Sequence, residues 1–249
     1  MKNPFPLKHT LLLIGSCMFI LALYSCSKND NNNNQPDVAG LMAFNLSPDK
    51  PLIGISLSGN TLRPPLPYVS YTGGYVSIYP GERSTVAFDA GSGNSFASTT
   101  YKYLPRKYYS VFVTGANGTY NNIVVSDNID SLSGISGESY IRYINAVTDS
   151  SKPQVMISDS QSVVVNDQPA FKDVSSFTQI KSGPVTIAIN NGAKINASRN
   201  ITLEEQKLYT ILFVGNPSGT APGDSVQIRY IENGKLKLDT SQVSAKVIN

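Results

Sequence analysis

The chain has 249 residues, with 20 Lys and Arg against 17 Asp and Glu and a formal net charge of +3 at pH 7. Its single histidine, His9, and the first of its two cysteines, Cys17, stand near the start, and tryptophan is absent. Everything after Cys26 therefore lacks the imidazole and thiol groups of Ser-His-Asp triads, Cys-His pairs and ordinary zinc sites, and no basic block offers a footing to nucleic acid.

The first element is a targeting segment. Lys2 and Lys8 precede an almost wholly apolar run from Leu11 to Tyr24. That run is too short to span a bilayer, which takes roughly twenty residues, and it reads as a signal peptide over residues 1–25. Leu23-Tyr24-Ser25-Cys26 resembles a bacterial lipobox, so Cys26 is the expected lipidation site. Ile14-Gly15-Ser16-Cys17 also fits, but a cut there would leave MFILALY on the mature chain. Cleavage before Cys26 leaves 18 Lys and Arg (20 less Lys2 and Lys8) against 17 Asp and Glu, a balance of +1. The polar string SKNDNNNNQPD holds no apolar residue and reads, over 26–37, as a disordered tether to a lipid anchor. The resulting expectation is an outer-membrane lipoprotein facing either the cell surface or the periplasm.

Beyond the tether the chain repeats itself at an offset near one hundred. GLMAFNLSPDK from Gly40 aligns with SYIRYINAVTDSSK from Ser139, which sets Asn45 beside Asn145 and Asp49 beside Asp149. SIYPGERSTVAFDAGSG aligns with TQIKSGPVTIAINNGAK, and Tyr108 to Gly115 aligns with Leu208 to Gly215. Two copies follow, over residues 38–132 and 137–249, joined by a Ser-, Gly- and Asp-rich seam that reads as an exposed linker open to proteolysis.

Within the copies apolar residues recur every second position, the signature of half-buried strands. Ile53, Ile55 and Leu57 alternate with Gly54, Ser56 and Ser58, and Val86 and Phe88 with Thr85 and Ala87. Val185, Ile187 and Ile189 alternate with Thr186, Ala188 and Asn190. The strand around Tyr209 is apolar on both faces and should be central. Asn191-Gly192 and Asn233-Gly234 each predict a hairpin turn. The expected fold is all-β: two tandem immunoglobulin-like antiparallel sandwiches of about seven strands each.

The opening strand closed by N-x-x-x-D, the alternating strand ending in Gly59, the Pro-Gly or Ser-Gly turn and the late Y-x-x-x-x-x-G strand resemble the family called domain of unknown function 4397. Gly54, where the family often has Asp, and the RPPLPY insertion depart from it. The resemblance implies a β-sandwich module often found in tandem behind a lipoprotein signal, and it carries no activity to transfer. The Asn-rich start after the lipid cysteine is similar to lipoproteins of the Bacteroidota.

Three readings of use follow. The leading one is a non-enzymatic envelope protein, without cofactor or metal, that displays two sandwiches for binding or adhesion. The others are a glycan-binding accessory of a polysaccharide-uptake system and a fimbrial subunit. Adjacent Glu204-Glu205 is the one paired carboxylate, and strand or turn geometry would send its members apart or into water. The candidate binding surface is YVSYTGGY, where Tyr68, Tyr71 and Tyr75 would offer rings to a sugar or protein ligand. Asp130-Ser131-Leu132 and Asp224-Ser225-Val226 resemble O-glycan attachment sequences, with Ser131 and Ser225 as acceptors.

Overall fold

The computed structural model describes residues 37–192, 194–219 and 224–237, so Cys26 and its tether lie outside the described residues. The first half contains β1 (Ala39–Asn45), β2 (Leu52–Leu57), β3 (Asn60–Pro67), β4 (Ser70–Tyr71), β5 (Val76–Ile78), β6 (Gly81–Asp89), β7 (Ser95–Tyr103), β8 (Tyr108–Ala116) and β9 (Thr119–Ser126). The second contains β10 (Glu138–Val147), β11 (Gln154–Ser158), β12 (Val163–Asp167), β13 (Thr178–Lys181), β14 (Gly183–Asn190), β15 (Asn196–Leu203), β16 (Lys207–Gly215) and β17 (Gln227–Lys235).

Each half is a sandwich of two sheets. In the first, the order β4-β1-β8-β9, with β5 also on β1, faces the order β3-β2-β6-β7. In the second, β13-β10-β16-β17 faces β12-β11-β14-β15, which is the same arrangement. One apolar core fills the first sandwich, around Ile53, Ile55, Tyr109 and Val111, and another fills the second, around Val155, Ile187, Tyr209 and Ile211. The expectation of a central Tyr209 strand holds: β16 lies between β10 and β17 and is buried along nearly its whole length.

The sheets are not wholly antiparallel. β1 runs parallel to β8, and β10 parallel to β16. A parallel pair needs a long crossover, which the strands of the opposite sheet provide here.

The residues that recur between the halves fasten the same corners. The Tyr109 hydroxyl accepts a hydrogen bond from the Leu104 amide at 2.8 Å, and the Tyr209 hydroxyl accepts one from the Glu204 amide at 3.1 Å. In each case the phenol ties a late strand to the turn five residues before it, much as the tyrosine corner of immunoglobulin-like sandwiches does. The glycines that end these strands adopt φ +125° at Gly115 and +136° at Gly215. A Cβ at Gly115 would stand 2.1 Å from the Thr119 carbonyl oxygen, so the motif's glycine is required twice over. Asn45 and Asn145 are structural too. Asn45 Nδ2 donates to the carbonyls of Lys50 and Leu66, and Asn145 Nδ2 donates to that of Pro169.

Two local expectations fail. Asn233-Gly234 forms no hairpin turn. Both residues belong to β17, where the register shifts opposite Leu208 and Tyr209, so Asn233 is the extra residue of a bulge and its side chain is buried. In β6 the inward residues are Thr85 and Ala87, while Val86 and Phe88 lie on the other face. Thr85 is tolerated inside because its hydroxyl lies 3.0 Å from that of Tyr103. Phe88 covers the space left by Gly54, where a Cβ would sit 2.1 Å from the ring, so the larger residue of the family pattern has no room. At the seam, Asp127 is buried, while Asn128, Asp130, Ser131, Ser133 and Ser136 are exposed as a linker would be. The hairpin expected around Asn191-Gly192 is found, with β14 paired antiparallel to β15.

Candidate functional site

The residues from Asp37 onward form one compact unit, and a third apolar cluster shows why. Met42, Phe44 and Leu46 of the first half pack with Ile144, Ala146, Leu212 and Val214 of the second, with Phe112 among them. These side chains project from β1 and the residue just after it, and from β8, β10 and β16, away from each sandwich's own core. A central strand that is apolar on both faces thus serves its own sandwich on one side and the neighbouring half on the other.

A polar network crosses this contact. Arg142, in the middle of apolar β10, is 2% exposed. Its Nη1 donates to Asp127 Oδ1 at 2.6 Å, its Nη2 to Ser110 Oγ at 2.7 Å and its Nε to Thr210 Oγ1 at 2.8 Å. Asp127 Oδ2 also accepts from the Ser110 hydroxyl and from the Tyr75 hydroxyl. Thr210 passes its own proton to Asn233 Oδ1 at 2.6 Å. The guanidinium lies over the rings of Phe177, at 4.5 Å, and Phe112, at 5.6 Å. Such a pair tolerates burial because the charges meet directly and neighbouring hydroxyls take up part of their remaining hydrogen-bonding capacity.

Beside this pair opens a cleft of about 340 Å³. Arg142 and Asp127 form part of its wall, with Ser126, Asn128 and Ser131 from the first half's exit and Ser175, Ser176 and Phe177 from the second half. Ser126 Oγ donates to Asn128 Oδ1, and Ser131 Oγ to the Asn128 carbonyl. Those hydroxyls keep acceptor capacity, and two guanidinium N–H groups of Arg142 have no described partner. The lining can donate and accept hydrogen bonds, and it presents no nucleophile beside a base. No group of residues able to hold a metal ion occurs among the described residues.

The tyrosines expected on an exposed platform are each half-buried. Tyr71 stacks on Phe44 with ring centroids 5.7 Å apart, and both Tyr71 and Tyr75 pack against the cluster shared by the halves. Burial, and then the Asp127 charge, raise the Tyr75 phenol far above its ordinary range. Tyr68 has a buried hydroxyl with no hydrogen-bond partner and is pushed up to about 12 by burial, then by Asp224. Tyr71 and Tyr75 thus turn part of their rings to apolar surface within the protein, and all three tyrosines are half-buried. Ser131 and Ser225 are both exposed, Ser131 at the end of the short 3₁₀ turn Ile129–Ser131 and Ser225 just before β17. Glu204 pairs with Lys207 at 2.8 Å, and Lys207 also pairs with Glu232, so that acidic stretch fastens a corner.

Sequence reasoning missed the cleft and Arg142. The signal was present: in SYIRYIN one arginine interrupts an otherwise apolar strand, and a buried cation demands a partner.

No curated protein matches the chain. The model of one family, a domain of unknown function called DUF4397, matches residues 139–249. Those residues take in the second sandwich from the second residue of β10 onward, with its Tyr209 corner and its Gly215 strand end. Residues 139–249 of this chain are a DUF4397 domain.

Proposed function

We propose that the protein is a non-enzymatic envelope lipoprotein, held to the membrane by a lipid on Cys26, whose two sandwiches act together as one binding body. Residues 38–132 are read as a diverged second copy of the DUF4397 module, on the strength of the shared strand order and the recurring Tyr and Gly positions. The observation that carries the binding reading is the preformed polar cleft at the seam. Its floor is held by the Arg142–Asp127 pair, and its volume falls at the small end of the range for ligand pockets. Its hydroxyl-rich lining beside an aromatic ring favours a glycan over an apolar ligand.

Two measurements test the two parts of this reading. Ser176 is exposed on the rim, so Ser176→Trp should fill the cleft while leaving the thermal midpoint within about 2 °C of wild type, as surface changes of small free energy do. On a glycan array the wild-type protein should be retained and this variant should not. Equal retention of the two proteins would move the ligand away from the cleft. Cys26→Ala should transfer the protein from the membrane to the soluble fraction, and unchanged partitioning would remove the lipid anchor from the reading.

A further inference from the structure

The contact between the halves is built from the same positions on both sides. Phe44 faces it from β1 and Ile144 from β10, one hundred residues apart, and so do Phe112 from β8 and Leu212 from β16. The polar positions correspond as well. Met42 lies opposite Ser110 across the β1–β8 pairing, and Arg142 opposite Thr210 across the β10–β16 pairing. Asp127 follows the residue paired with Tyr109, and Asn233 follows the residue paired with Tyr209. The halves therefore meet as two subunits of a two-fold dimer would, like face to like face.

Across that internal two-fold the chemistry differs. On one side Arg142 reaches Asp127 and Ser110 of the first half. On the other, the corresponding Met42 meets Asn233 of the second half, with Asn233 Nδ2 at 3.7 Å from Met42 Sδ. One side is an ion pair, and its mirror position is neutral.

We infer that this face is a docking surface for another module of the same fold, and that the charges at 142 and 127 decide which module it accepts. Two second halves brought together would each bury Arg142 against a threonine and an asparagine, a cation without an anion. Two first halves would each bury Asp127 beneath a methionine, an anion without a cation. Both pairings leave uncompensated buried charge, which is strongly unfavourable, and the mixed pairing alone closes the circuit. The partner that fits β10 and β16 is thus a module with a small hydroxyl at the position of Ser110 and a carboxylate at that of Asp127, and in this chain the first half supplies it.

The test moves the ion pair across the two-fold in the full chain. Met42→Arg alone and Asn233→Asp alone should each lower the thermal midpoint, because each buries one unpaired charge. Together they should recover about 4 °C or more of the summed loss, as expected for contacting residues in a protein of this size. Losses from Met42→Arg that are the same with and without Asn233→Asp would overturn the inference. A second set guards against variants that carry too much buried charge to fold. Arg142→Met with Asp127→Asn removes the native pair, and adding Met42→Arg with Asn233→Asp rebuilds it on the opposite side. The fourfold variant should return as a monomer with a midpoint close to wild type. A fourfold variant less stable than Met42→Arg with Arg142→Met, which misplaces the cation, would equally overturn it.

Discussion

Replacing Arg142 with alanine will cost about 3–5 kcal/mol of folding stability, because it strips a buried carboxylate of its countercharge. Asp127 would keep the hydroxyls of Ser110 and Tyr75, but no cation, while remaining almost wholly buried. Thr210 and Ser110 would lose a donor each, and the rings of Phe112 and Phe177 would lose the planar group between them. For a domain unit of this size the loss corresponds to a midpoint lowered by roughly 6–20 °C. Chemical denaturation followed by circular dichroism measures it. The control is Arg142→Met with Asp127→Asn, which removes both charges and should regain most of the loss, since paired charges exchanged for neutral groups often come near break-even. A double variant as unstable as Arg142→Ala would show that the arginine acts through packing instead of charge.

The second large effect is expected at Phe112. Its ring is fully buried, stacks on Phe44 with centroids 4.7 Å apart and projects from β8 into the contact between the halves. Phe112→Ala should cost about 3–5 kcal/mol, the usual result of deleting a ring from a close-packed site. The location of the damage matters more than its size. Neighbouring Val111 points into the first sandwich's own core, so Val111→Ala should loosen that half first. Phe112→Ala should raise amide exchange in β10 and β16 of the other half as well as in β8. Exchange that rises only within residues 39–126 would mean that the two halves open independently.

Much of the fold was legible from residues alone. Period-two runs located β2, β14 and β16, and the both-faces-apolar pattern around Tyr209 identified a central strand correctly. The pattern could not say what the second apolar face touches. That depends on a neighbour one hundred residues away, and composition carries no label for it. The same gap hid a second contact of the tyrosines in YVSYTGGY, since Tyr71 and Tyr75 also pack against the shared cluster. Asn233-Gly234 misled for a local reason: positive φ suits a hairpin turn and a strand bulge alike, and here Gly234 at φ +155° serves the bulge. At β6, alternation gave the period but not the phase, which was set by the Tyr103 hydroxyl inside and the Gly54 hollow outside. The cleft was illegible because its walls come from β9, the seam, β10 and the segment before β13, four stretches with no motif in common.

The parallel pairing of β1 with β8 has a mechanical consequence. Tension applied to the chain ahead of Ala39 enters the sheet at the start of β1, whose hydrogen bonds to β8 extend from Gly40 to Asn45 and whose other edge is held by β4 and β5. A pull along the axis of that strand loads those bonds in shear, so they must yield together instead of peeling one after another. Survival under such a load is set by the rate of unfolding, not by the equilibrium free energy. A force sensor tethered through the N-terminal segment would therefore find the first half stiffer along β1 than when it is pulled through the edge strand β9, whose pairing to β8 can unzip from one end.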